Sequence, residues 1–119
     1  MTANELVATL ERYRMRSTTE ADLHEAIAEV LDANGIAYAR EYYLWGRDRI
    51  DFYCPGLRVG IEAKIAGGTN AVARQIARYC QSDDVASIIL VTSLVKHRNV
   101  PAQLRGKDVR VVFTGRGAL

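Results

Sequence analysis

Asp51, Glu62 and Lys64 are charged residues set into runs whose other members are apolar. Read as a strand, Arg58 to Ile65 alternates its side chains between two faces. Glu62 and Lys64 then share one face, roughly 7 Å apart along the strand, and Val59, Ile61, Ala63 and Ile65 take the other. On the preceding segment Asp51 lies between Ile50 and Phe52. Aspartate suits a strand interior poorly, and local rules tend to be broken where a protein works. The competing reading is a solvated sheet face carrying an ordinary ion pair, which open sheets commonly have.

Two helical segments offer further polar groups. Between Asn70 and Ser82 the apolar residues Val72, Ile76 and Tyr79 define a stripe, and Gln75 falls inside it. A buried glutamine needs partners, which a polar site would supply; at the edge of the stripe it would reach solvent instead. Upstream, Glu20 lies on the inward side of a wheel anchored at Leu23 and Ile27, with His24 one turn later at the flank of that face. Glu20 could equally serve the helix dipole, and His24 could be a plain surface or core histidine. Carboxylates gathered on an apolar floor repel one another and lose hydration unless a cation sits among them. Hard oxygen ligands suit Mg²⁺ or Mn²⁺.

The elements that must hold these residues can be read from periodicity and punctuation. The spacing predicts an N-terminal helix over Asn4–Met15 and a second helix entered at Thr19 and ending near Asn34-Gly35. Strands are expected over Ile36–Leu44, Arg49–Cys54 and Arg58–Ile65, broken at Gly46 and Pro55-Gly56. A third helix follows over Asn70–Ser82. Ala86–Thr92 reads as a strand buried on both faces. A basic loop, Lys96-His97-Arg98, leads past Pro101 to a short turn or helix and a last strand, Val109–Phe113. This order predicts an α/β fold with one mixed central sheet flanked by helices. The 119 residues suit a single domain: a helix appended over 1–17, a core over about 18–94 and a C-terminal strand over about 108–114.

Composition excludes little. Sixteen Lys and Arg against fourteen Asp and Glu leave a net charge of +2, which neither demands nor forbids a nucleic-acid partner. Cys54 and Cys80 lack zinc-site spacing and read as buried free thiols, as in a reducing compartment. No apolar run approaches a membrane span or a signal peptide, so a cytoplasmic protein is expected, with no membrane partner and no organic cofactor. Arginines and lysines around the acidic residues could track phosphates. Arg40, Arg47 and Arg49 flank the first strands, Arg74 and Arg78 share a helix face, and Lys96 and Arg98 sit in the basic loop with His97. Tyr42, Tyr43 and Trp45 could stack on bases, although core or interface packing is the commoner use.

Asp51 in Arg49-Ile50-Asp51-Phe52, followed by Glu62-Ala63-Lys64, resembles the PD-(D/E)xK nuclease superfamily. With Glu20 upstream and Gln75 in Arg74-Gln75-Ile76-Ala77-Arg78-Tyr79, the chain is most similar to the VRR-NUC group of phage and bacterial replication and repair proteins. More loosely it resembles archaeal Holliday-junction resolvases. Ile50 stands where many members carry proline. The resemblance spans residues 18 to 94 and implies a restriction-endonuclease-like αβββαβ core. It implies that Asp51, Glu62 and the carbonyl of Ala63 ligate Mg²⁺ or Mn²⁺, and that Glu20 holds a second ion or its water. Lys64 would orient the attacking water, Gln75 would position Lys64 or the phosphate, and His24 would be accessory. The activity implied is endonucleolytic hydrolysis of DNA by a homodimer, on branched or otherwise structured substrates, in a bacterial or phage-infected cell. The alternative is an inactive nuclease-fold module that binds DNA or a protein.

Overall fold

The computed structural model describes residues 1–15 and 17–114. Helices α1 (Ala3–Glu11) and α2 (Glu20–Ala33) lead into strands β1 (Ala39–Trp45), β2 (Asp48–Cys54) and β3 (Val59–Lys64). Helix α3 (Thr69–Tyr79) crosses to β4 (Ser87–Thr92). A 3-10 turn (Val95–Asn99), the two-residue β5 (Gln103–Leu104) and β6 (Lys107–Phe113) complete the order. The strands form one six-stranded sheet in the order β1-β2-β3-β4-β6-β5. Neighbours are antiparallel from β1 to β3, parallel from β3 through β4 to β6, and antiparallel again at β5. This is the mixed, helix-flanked α/β fold that the element order predicts.

Helix starts follow their caps. Thr2 and Glu5 form a reciprocal capping box at α1, and the Thr19 hydroxyl accepts the Asp22 amide at the head of α2. Two apolar layers then sandwich the sheet. On one face Leu6 and Leu10 of α1 and Leu23 and Ile27 of α2 pack on Phe52, Ile61, Ile89 and Val112. On the other, Val72, Ile76 and Tyr79 of α3 pack on Ile50, Ile88, Leu90 and Val109. Strand β4 feeds both layers, so all six of its residues are buried, which accounts for its continuous apolar run. Each layer also holds one free cysteine: Cys54 in the first, Cys80 in the second. Burial pushes the Cys54 thiol up to about 11 and raises that of Cys80 as well.

Several sequence expectations need correction. Helix α1 stops at Glu11, not Met15; α3 stops at Tyr79, not Ser82; and β1 starts at Ala39, not Ile36. The basic segment is a 3-10 turn, and the turn or helix expected after Pro101 is the short strand β5. His97 does not join its basic neighbours at the surface. It is fully buried, with Nδ1 2.7 Å from the Thr92 hydroxyl and Nε2 2.8 Å from the Gly67 carbonyl. A carbonyl can only accept, so the Nε2 proton is fixed there and Nδ1 receives the Thr92 hydroxyl. The ring thereby ties the loop after β3 to the 3-10 turn. Tyr42 stacks on Tyr53 at 4.5 Å, but Tyr43 and Trp45 are 61% and 63% exposed, so neither packs in the core. No helix among the described residues is long and apolar enough to cross a membrane.

Gly60 sits where side chains of β2 and β4 crowd the β3 backbone. A Cβ there would collide with Ile50 Cδ1 and come within 3.0 Å of Ile88 Cδ1. Gly60→Ala is expected to lower the unfolding free energy by about 1–3 kcal/mol in urea denaturation. An unchanged midpoint would mean that the isoleucine tips swing aside freely.

Candidate metal centre and the cleft beside it

The β2–β3 ladder runs from Cys54–Val59 to Phe52–Ile61 and then opens. Beyond that point side chains replace the backbone pairing. Asp51 Oδ2 accepts the Ala63 amide at 2.8 Å, and Glu62 Oε1 accepts the Asp51 amide at 3.3 Å. Each carboxylate therefore satisfies a strand N–H that would otherwise lack a partner. The same opening changes which face the strand offers: Ile50 packs under α3, whereas Phe52 packs under α2. Opposite Asp51, between the paired positions Arg40–Phe52 and Tyr42–Ile50, Glu41 adopts a φ of 54°. This left-handed conformation costs a residue with a Cβ on the order of 1 kcal/mol.

Glu62 is 3% exposed, so it is not part of a solvated face. Its Oε2 lies 3.4 Å from Lys64 Nζ and accepts the Tyr79 hydroxyl at 3.2 Å. Lys64 and the Asp51 amide favour the ionised form, but burial and the neighbouring Asp51 charge outweigh them. Together they raise the Glu62 carboxyl to about 8. Tyr79 is held in turn by Gln75, whose Nε2 donates to its oxygen at 2.9 Å, and it also faces the Arg49 carbonyl at 3.2 Å. Burial, then the Glu62 and Asp51 charges, push the phenol upward and keep it a neutral donor. Gln75 thus acts on Glu62 through Tyr79; no direct hydrogen bond to Lys64 accompanies it. Tyr79 is the residue that periodicity missed, since a tyrosine in an apolar stripe reads as core.

Helix α2 completes the other side. Glu20 and His24, one turn apart, bring ligand-type atoms within 4.8 Å of one another and of Asp51. Glu25, a further carboxylate of α2, pairs instead with Arg40 at 2.9 Å. His24 Nε2 lies 3.2 Å from Asp51 Oδ2, close enough for an ion pair, yet the approach lacks hydrogen-bond alignment. That nitrogen is buried with no hydrogen-bond partner, a state that normally costs about 1–3 kcal/mol. A cation among Glu20, His24 and Asp51 would give it one. The donor set fits a divalent ion, and its imidazole suits Mn²⁺ better than Mg²⁺. Glu62 borders this cluster through Asp51 without belonging to it, and Ala63 meets Asp51 through its amide, not through the carbonyl expected as a ligand.

Of the basic residues, three converge. Arg47 and Arg49 of the β1–β2 hairpin and Arg78 of α3 line a cleft of about 610 Å³ with Tyr43, Asp48 and the Gln75–Tyr79 pair. Two are already engaged, Arg49 with Glu41 at 3.1 Å and Arg78 with Asp48 at 3.3 Å. Such exposed pairs hold weakly. Arg40 lies over the Phe52 ring, apart from this group. Arg74 is exposed one turn before Arg78, and Lys96 and Arg98 are exposed on the 3-10 turn.

The Glu62 carboxyl carries a pH signature. Its pKa is 4.5 unfolded and about 8 folded, so between these values the folded state binds the extra proton. The stability it contributes is complete below about pH 4.5 and is lost as pH rises toward 8. In chelator, Glu62→Gln is expected to leave the melting temperature near that of the wild type at pH 5 and to exceed it at pH 8. Parallel melting curves across that range would show Glu62 ionised throughout.

No family model, no curated protein and no solved structure matches the chain.

Proposed function

We propose that the protein is a divalent-metal-dependent endonuclease that hydrolyses phosphodiester bonds in DNA. The observation that carries the reading is the meeting of Asp51 and Glu62 across an opened ladder. Lys64 stands 3.4 Å from Glu62, and Glu20 and His24 stand across Asp51. Few structural roles call for three carboxylates, an imidazole and an ammonium group in one partly buried place, because each charge loses hydration there.

Asp51, Glu20 and His24 would hold the ion, with Glu62 beside them. When bound, it would supply a Lewis acid that favours hydroxide over water and offsets charge gathering on the phosphate. The remaining work falls to the chain. The Ala63 amide fixes the Asp51 carboxylate, and Tyr79, held by Gln75, fixes Glu62. Lys64 places a positive charge where the equatorial oxygens of the transition state become most negative. A water oxygen bonds to phosphorus, the bond from phosphorus to one ester oxygen breaks, and that oxygen leaves with a proton. One centre of this kind reaches one strand, so a double-strand break calls for two copies, and a homodimer is part of the proposal. A role in replication, repair or recombination follows from the resembled family alone.

Calorimetric titration with Mn²⁺ tests the centre. The wild type is expected to bind, and Asp51→Ala to lose binding. Lys64→Ala is expected to cut DNA about 100- to 1,000-fold more slowly with nearly unchanged DNA affinity. Absence of Mn²⁺ binding to the wild type, or wild-type turnover in Lys64→Ala, defeats the proposal.

A further inference from the structure

We infer that the cleft between the β1–β2 hairpin and α3 takes an unpaired strand of nucleic acid next to the carboxylate centre; this rests on the nuclease reading above. The charge balance at the cleft favours an anion: Arg47, Arg49 and Arg78 line it, against Asp48 on Arg78 and Glu41 on Arg49, and both of those pairs are exposed and weak. The Arg49 guanidinium sits 5.7 Å from the centroid of the Tyr43 ring and helps hold that ring in place. Tyr43 is nevertheless 61% exposed, and Trp45, paired with Asp48 at the hairpin end, is 63% exposed. The Tyr43 ring, exposed among the arginines of the cleft, is well suited to stacking, and Trp45 stands at the hairpin end that bounds it.

Stacking decides which nucleic acid fits. In a duplex the base faces are covered by neighbouring bases, and only edges and phosphates are offered. An unpaired strand offers both the face of a base for Tyr43 and phosphates for the arginines. A second copy of this chain would suit the rings but would bring its own arginines against these. The cleft abuts the centre through Tyr79, which lines it while donating to the buried Glu62. A strand lying on Arg47 and Arg78 is then separated from Glu62 by the Tyr79 ring, which sets the unpaired part of a substrate next to the centre.

Trp45 is the only tryptophan in the chain, so its fluorescence reports on the hairpin. The full chain in chelator is titrated with oligo-dT of about 16 nucleotides and with a duplex of equal length. Quenching by oligo-dT, with affinity at least tenfold above the duplex, is expected. Tyr43→Ala is expected to weaken oligo-dT binding about 5- to 100-fold. Arg47→Ala should lower the salt slope by about 0.7. Equal affinity for the duplex, or an unaffected Tyr43→Ala, overturns the inference. So does Trp45 emission that changes with protein concentration alone, since a second copy would then cover the hairpin. Cleavage with Mn²⁺ in the same variants separates the two readings. Metal-dependent cutting without an oligo-dT preference leaves the nuclease and removes the single-strand cleft; an oligo-dT preference without cutting does the reverse.

Discussion

The constraint on which the rest depends is the exchange between Asp51 and Glu62 where β2 and β3 part. Two strands cannot separate inside a sheet without stranding backbone N–H groups, and each stranded group is costly. Here the carboxylates accept those groups themselves. The acidic residues are thus both the reason the ladder can open and the feature the opening presents. Removing either one would lose a potential ligand and also leave an amide without its acceptor, so backbone geometry and site chemistry are not separable at this point.

Both helical layers converge on that opening. Helix α2 brings Glu20 and His24 toward Asp51 from one face of the sheet, and α3 brings Tyr79 toward Glu62 from the other. The change of face between Ile50 and Phe52 makes this possible, since it gives both layers an anchor on either side of Asp51. Glu62 stands between opposing demands. Burial and the Asp51 charge favour its neutral form, while Lys64 and the Asp51 amide favour the ionised one. A divalent ion added to this balance would favour ionisation further and release a proton.

Much of this was legible in the sequence, for identifiable reasons. Alternation in Val59–Lys64 separated Glu62 and Lys64 from Ile61 and Ala63, and the structure keeps that separation because β3 is regular. The 3.6-residue repeat placed Glu20 and His24 on one face of α2 and Gln75 near the buried stripe of α3. What escaped were features without a period. Tyr79 contributes through one hydroxyl at the end of an otherwise apolar ring, and hydropathy counts only the ring. The turn of Glu41 to a φ of 54° leaves no compositional mark, since glutamate is an unusual choice there. His97, flanked by Lys96 and Arg98, shares their polarity but not their exposure. Its burial depends on Thr92, five residues back across an irregular turn, and on Gly67, thirty residues away, and no periodic pattern records either.

The placement of the two cysteines has a practical consequence. Cys54 lies in the layer under α1 and α2, and Cys80 in the layer under α3. Both thiols are buried and held in the unreactive protonated form. A thiol-alkylating reagent can therefore reach Cys80 only when the α3 side of the sheet opens, and Cys54 only when the surface pocket it borders, between the end of α2 and the β2–β3 turn, widens on the other side. The chain carries a built-in chemical clock for each half of its interior, and the order in which the two sulfurs are modified reports which side of the sheet opens first.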